Sequence, residues 1–412
     1  MNTPPGGAAL AAFRLDDPEI VEAGDPGGML RQVASSAAQV RTAVRACAEA
    51  DLSALSAERR PRAIVVVGSG GAGGSAFAAD ALEAICGTGA PVQVTGVSGW
   101  QLPGWIGAAD LVMAVSRSGH TAETLALASE AARRGCDLVA VAAPGSPLEG
   151  LTASARGVFI PVTKAGPARA MPWALTVPLL VCAARLGVAR IDDAGYEAAA
   201  AAMEDVSHQC RPSSESFVNP AKSLALDLVG RLPLIWGGSA LSAAAGRRFA
   251  SQLAANAKHP ALFGLLFEAG HDQVATFDGP YAPPAEPSFP AAEDLGGGFG
   301  ADLFGDPDSF SDDDPDLDGL SPDEASLRLV LLADPAGEHP AVERTRAAAV
   351  SLASARGIDV SDIQLDAGDP LPRLARTVQL LDYASVYLGI AGGIDPLAIA
   401  AIKDLRDLAG RE

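Results

Sequence analysis

The sequence predicts an α/β protein of two doubly wound parallel-sheet units, each an αβα sandwich, behind a helical N-terminal lead-in. Three observations carry that expectation. Short continuous apolar runs recur between helix-length segments, the pattern of strands covered on both faces. The first run ends in a glycine-rich turn and a helix, and the same succession starts again near the middle of the chain. The composition, 412 residues with 49% apolar side chains, supplies core for two such units.

Taken in order, residues 1–60 form the lead-in, with an amphipathic helical stretch over 28–57. A β-branched run at 63–67 passes through Gly68-Ser69-Gly70-Gly71 into a helix over 75–86. Further runs at 92–95, 111–115, 138–141 and 158–162 complete a first domain over 61–190. The second domain, 191–412, opens its pattern with a strand at 232–236, the turn Gly237-Gly238-Ser239 and a helix over 241–255. A strand at 327–332, a helix at 341–355 and a strand at 358–365 continue it. Such a duplication suggests a ligand site between the halves, where the carboxyl ends of the strands meet.

The net charge of −20 argues against a nucleic-acid partner. Its distribution matters more than its size. Residues 281–325 hold 13 carboxylates, and no Lys or Arg occurs between Lys258 and Arg328. One segment thus accounts for 13 of the 20 excess charges. With its Pro and Gly clusters and no apolar period, 281–326 reads as a solvated, disordered insert interrupting the second domain. Neither a secretory leader nor a membrane span is expected, since the apolar stretch over 170–184 falls short of the ~20 residues a bilayer requires. Five scattered cysteines without a Cys-x-x-Cys pair fit free thiols in a reducing cytosol, so a cytoplasmic protein is expected.

Two phosphate-binding patterns compete. Gly68-Ser69-Gly70-Gly71-Ala72-Gly73 has the spacing of a dinucleotide fingerprint between strand and helix. That site also needs an acidic residue about 20 positions on to hold the ribose, and no carboxylate occurs from Ala84 until Asp110. The third strand ends in Ser116-Arg117-Ser118-Gly119-His120-Thr121 at the start of a helix. Three hydroxyls and backbone N–H groups there face the positive end of the helix dipole, which suits a phosphate monoester. An ordinary Ser/Thr cap is the simpler alternative, but a cap uses one hydroxyl. No His, Cys and carboxylate spacing fits a metal site, and no cofactor is expected.

These residues carry a resemblance. Ser116 to Thr124 is similar to the Ser-Tyr-Ser-Gly-Asn-Thr-x-Glu-Thr signature of sugar isomerase (SIS) domains. Gly71-Ala72-Gly73-Gly74-Ser75 resembles the Gly-Met-Gly-Gly-Ser of the bifunctional phosphoglucose/phosphomannose isomerase branch. Asn256-Ala257-Lys258 and Glu268-Ala269-Gly270-His271 resemble that branch's Asn-Ala-Lys and Asn-His-Asn-Glu stretches. The resemblance implies two SIS-type domains, a homodimer, and a hexose 6-phosphate as ligand. It places the phosphate on Ser116, Ser118 and Thr121, the sugar against Gly73, Gly74 and Ser75, and Arg169 as an orienting cation.

The implied reaction interconverts glucose or mannose 6-phosphate with fructose 6-phosphate through an enediol, which calls for a ring-opening group and a proton-carrying base. The resemblance assigns ring opening to His271, supplied across the dimer, and matches the family's late Lys with Arg406. The family's Glu base falls on Ala255, and the Glu after the histidine on Gln273. Two readings therefore stand: an isomerase with a different base, Glu268 or Asp272 being nearest in sequence, or a hexose-phosphate-binding regulator without turnover. His120 adds a titratable donor to the phosphate loop. His259 and His339 precede prolines and read as turn residues, Trp173 and Trp236 as core.

Overall fold

The computed structural model describes residues 6–68, 74–283 and 326–410. Gly73 and nearly all of the acidic segment lie outside the described residues. Four helices lead in: α1 (Gly6–Asp16), α2 (Pro18–Gly24), α3 (Met29–Ala34) and α4 (Ser36–Glu49). The first two precede the stretch that the sequence pattern marks as helical. Asp17 caps α2, its carboxylate accepting from the amides of Glu19 and Ile20, a local signal that apolar periodicity overlooks.

Next come β1 (Ala63–Val67), α5 (Ser75–Cys86), β2 (Gln93–Val97), β3 (Leu111–Ser116), α6 (Ala122–Arg133), β4 (Asp137–Ala142), α7 (Pro147–Ser154) and β5 (Val158–Pro161). The five strands form one parallel sheet in the order β2-β1-β3-β4-β5. β1 and β3 are buried along their whole length, as central strands of a sheet covered on both faces must be. Helices α8 (Pro172–Arg185), α9 (Asp193–Gln209) and α10 (Pro220–Leu228) lead to the second sheet.

That sheet uses β6 (Arg231–Gly237), β7 (Leu262–Leu265), β8 (Ser326–Ala333) and β9 (Asp359–Gln364), with helices α11 (Ala240–Gln252), α12 (Leu266–Ala269), α13 (Pro340–Ala355), α14 (Pro370–Ala391) and α15 (Ala400–Leu408). Its order, β7-β6-β8-β9, is again wholly parallel. Both sheets therefore reverse direction between their first and third strands, the switch point where α/β folds open a crevice. Strand β7 carries little burial and was not expected from its pattern. Helix α14 was not anticipated either, although most of its residues are buried.

One apolar cluster runs through both halves and takes in the lead-in helices, Trp173, Leu82, Phe249 and Tyr387 among them. Trp236 belongs to a second cluster around β6 and β8, stacked on Phe277 at 5.7 Å. Each fully buried aliphatic side chain contributes about 1.5–3 kcal/mol. The lead-in is tied down by a polar anchor as well. Buried Lys222 donates to the carbonyls of Leu15, Pro212 and Ser214 at 2.6–2.7 Å, so the end of α1 is held onto α10. Among the described residues, no helix is long and apolar enough to cross a membrane.

Candidate functional site

The turn after β3 sits at the first sheet's switch point. Ser116, buried at the end of the strand, places its Oγ 3.0 Å from Thr121 Oγ1 and accepts the Gly119 amide at 3.0 Å. Thr121 is the residue before α6, yet its side chain makes no capping bond. The expected alternative of a plain Thr cap is thereby excluded: the hydroxyl turns back to Ser116. Ser118 accepts the His120 amide at 3.3 Å, and the exposed His120 ring lies 2.8 Å from the Ser118 carbonyl. Gly119 has φ +71°, and a Cβ there would lie 2.2 Å from Ser146 Oγ. Only glycine lets the loop close against α7 in this way. Three hydroxyls thus share one tight turn at a helix N-terminus.

Gly68, at the end of β1, stands on the other side of the switch point. Gly68 is pressed between β3 and α5, where a Cβ would lie 2.6 Å from the Val115 carbonyl and from Ser75. Gly74 precedes α5 and Ser75 is buried in its first turn. Two residues on, Phe77 packs edge-on against Trp173 and lies 4.9 Å beneath the Arg248 guanidinium.

Arg248 connects this turn to a second cluster. It pairs with Asp382 in a fully buried ion pair, Nε–Oδ1 2.9 Å and Nη2–Oδ2 2.7 Å. Burial pushes the Asp382 carboxyl up and Arg248 draws it back down. Arg248 Nη2 also donates to the Arg169 carbonyl at 2.8 Å, as does Gln252 Nε2 at 3.1 Å. The Arg169 backbone is therefore held from α11, while its side chain donates from Nε to Asn256 Oδ1 at 2.9 Å and from Nη2 to the Pro396 carbonyl at 2.8 Å. Burial lowers the proton affinity of Arg169, and the Asp395 carboxylate offsets part of that.

Asn256 lies in a π turn, Leu253–Ala257, that continues α11. Such turns often mark functional positions. The turn ends at Lys258 in the left-handed region, φ 54°, a strained conformation for a non-glycine residue. Lys258 Nζ donates to the carbonyls of Ala255 at 2.9 Å and Asp395 at 3.2 Å. Burial and the neighbouring Arg169 both lower the Lys258 ammonium, and Asp395 raises it. Ala255 itself is partly exposed beside these cations. Asp25 closes the cluster from the lead-in, its two oxygens accepting the amides of Met29 at 2.6 Å and Leu30 at 2.8 Å. Burial raises this carboxyl, with Asp395 adding to the effect.

The second half repeats the geometry with a different outcome. At its switch point the buried Asp334 accepts from Ser239 Oγ at 2.7 Å and from the Gly337 amide at 3.0 Å, and pairs with Arg373. The chain's own carboxylate fills the place that an external anion takes at such a turn. Ser239 meanwhile forms a capping box with Ser242.

His271 and Arg406 are not joined to the Arg169 cluster within one chain. Both are exposed, and neither side chain makes a hydrogen bond or ion pair among the described residues. Glu268 and Asp272 are likewise exposed beside His271. Gln273, where the resemblance leads one to expect a Glu, is used structurally, accepting from Trp236 Nε1 at 2.8 Å and donating to the Phe263 carbonyl at 3.1 Å. His339 caps α13 and His259 bonds the Arg231 carbonyl. No group of three metal-ligating side chains occurs among the described residues. Pattern reading missed Asp25, Arg248, Asp382 and Asp395; in sequence, Gly392-Gly393-Ile394-Asp395-Pro396 signals only a turn.

Comparison with known proteins adds to this geometry. Residues 217–408 match the family described as the bacterial phosphoglucose isomerase C-terminal SIS domain. A bifunctional phosphoglucose/phosphomannose isomerase of Caldicellulosiruptor bescii is 27% identical over 210 residues, 51% of this chain and 62% of that protein. A protein of the same description from Aquifex aeolicus is 27% identical over 45% of this chain and 53% of its own length. The matches thus span less than two thirds of either relative. A hypothetical protein of Thermus thermophilus shares the fold at a TM-score of 0.63 and 17% identity, covering 98% of this chain and 93% of that one.

Proposed function

We propose that this chain, a divergent SIS-domain member of the bifunctional phosphoglucose/phosphomannose isomerase family, binds a hexose 6-phosphate and interconverts its aldose and ketose forms. The observation that carries the reading is the turn after β3, where Ser116, Ser118 and Thr121 gather hydroxyls at the N-terminus of α6. A phosphate there accepts hydrogen bonds from the hydroxyls and gains from the helix dipole. The sugar then extends past Gly74 and Ser75 toward Asn256 and the two cations Arg169 and Lys258.

In that pose Arg169 orients the open-chain sugar, and the two cations stabilise the enediolate oxygen as negative charge develops. His271 opens the ring from the other subunit of a homodimer, with Arg406 completing the site, and the protein works in the cytoplasm. No nucleotide or metal takes part in this scheme.

Ala255 favours a second reading. An alanine beside the cations has no proton to exchange, and loss of a positioned base costs about 10²–10⁴-fold in rate. A chain with no other base at this site is a hexose-phosphate-binding regulator. A coupled assay with glucose 6-phosphate and mannose 6-phosphate separates the two, run beside calorimetric titration with fructose 6-phosphate. Binding with turnover supports the isomerase; binding without turnover supports the regulator. Titration curves that coincide for the wild type and Ser118→Ala remove the phosphate assignment.

A further inference from the structure

We propose that Asp395 is the carboxylate that carries the proton between C2 and C1 of the bound sugar. The proposal rests on the isomerase reading above and identifies its base. The loop 392–397 and the π turn ending at Lys258 grip the same two cations. Lys258 Nζ lies between the carbonyls of Ala255 and Asp395, so these two backbones flank one ammonium group. Arg169 bridges the same pair of segments, from Asn256 Oδ1 to the Pro396 carbonyl. Residue 395 therefore brings a carboxylate to the same ammonium group beside which residue 255 has none.

The other carboxylates in reach are already engaged or lie elsewhere. Both oxygens of Asp25 accept amides of α3. Asp382 is buried against Arg248. Asp334 pairs with Arg373 in the other switch point. Glu268 and Asp272 lie on the solvent side of the segment after β7. Asp395 is partly exposed; its Oδ1 accepts the Leu397 amide at 2.8 Å, and its Oδ2 has no partner among the described residues. Its field raises the proton affinity of both Arg169 and Lys258, which places its charge close to the two groups that stabilise an enediolate.

The step balances without a co-reactant. In the open-chain aldose, Asp395 Oδ2 takes the proton from C2, and the C2–H electron pair forms the C1–C2 double bond. Negative charge moves to O1, facing Arg169 and Lys258. A proton passes from O2 to O1, and the protonated carboxyl returns its proton to C1. O2 becomes the ketose carbonyl and the carboxylate is regenerated.

The test is Asp395→Asn, which keeps the Oδ1 acceptor for Leu397. Turnover of both aldoses, deuterium uptake at C2 from heavy water and calorimetry with fructose 6-phosphate are measured on the full chain. The expected result is a loss of about 10²–10⁴-fold in kcat and in deuterium uptake, with affinity changed by less than about twofold. Ala255→Glu introduced into Asp395→Asn is expected to recover at least about tenfold of the loss, since it restores a carboxylate across Lys258. Turnover of Asp395→Asn within about threefold of wild type overturns the proposal while leaving the isomerase reading intact. Parallel loss of turnover and of fructose 6-phosphate binding makes Asp395 structural and also overturns it. A wild type that binds the sugar phosphate without turnover or deuterium uptake removes the isomerase reading and this proposal together.

Discussion

Arg248 and Asp382 form an ion pair shielded from solvent, and the same guanidinium holds the backbone of Arg169 through a 2.8 Å bond. The pair thus does two things. It joins α11 to α14 in the second half, and it fixes the position from which Arg169 reaches Asn256 and Pro396. A buried pair is weak evidence for net stability, because both charges lose their hydration, but breaking one half leaves the other uncompensated.

Arg248→Met is therefore expected to destabilise the protein by about 3–5 kcal/mol, and Arg248→Met with Asp382→Leu to recover most of that. Urea denaturation midpoints check both. If the single variant is as stable as the double, the stranded carboxylate is not the source of the loss.

Gly119→Ala combines a left-handed backbone with a Cβ only 2.2 Å from Ser146 Oγ. The backbone alone costs roughly 1–2 kcal/mol. The loop is expected to shift off α7 and to lose at least about tenfold in fructose 6-phosphate affinity, as about 1.4 kcal/mol of displaced contacts implies. Calorimetry on the variant checks this, with thermal unfolding as the control for the fold.

Asp110 tests the opposite end of the first sheet, where β1 and β3 begin. Its fully buried carboxylate takes two bonds from Arg62, at 2.9 and 2.6 Å, and one from the Gly107 amide at 2.9 Å. The Arg62 guanidinium holds the carboxyl below its ordinary value of 3.8. A lowered folded value means that the stabilisation is present in full above 3.8 and is lost as pH falls through the folded value. Asp110→Asn is expected to lower the melting temperature at neutral pH, with the gap to wild type closing only in the acid range below 3.8. A constant gap from neutral to strongly acid pH contradicts the assignment.

The cysteines give a chemical check on the packing. Burial pushes Cys47 and Cys210 up to about 12 and Cys86 up to about 11, and raises Cys136 and Cys182 too. Thiolates are the reactive form, so the native protein is expected to react slowly with a disulfide reagent at about pH 8. All five thiols should react at once in denaturant. Fast reaction of Cys47 or Cys210 in the native state would show that the core around them opens.

Much of the fold was legible because its signals are local. The run 63–67, the helix 75–86 and the strand at 111–115 follow from β-branched clustering, helical spacing and a glycine turn, all read within a dozen residues. The Ser116–Thr121 loop was legible for the same reason, since three hydroxyls at a strand-to-helix junction are a local pattern. β7 was not, because a four-residue, partly buried edge strand has no period to display. Neither was α14, whose near-uniform burial between the halves removes the polar face that marks a surface helix.

By itself the sequence determined the parallel strands and the hydroxyl-rich turn after β3, because chain neighbours alone specify period and glycine geometry; the strand order that makes the two switch points came from the sheets themselves. Only the tertiary structure decided what surrounds Arg169. Arg169 meets Asn256 across 87 positions and Pro396 across 227, and Lys258 joins Ala255 to Asp395 across 137. Such contacts leave no trace in periodicity. They exist because two separately patterned sheets pack through a shared core, and that packing brings the loop 392–397 onto Arg169 and Lys258.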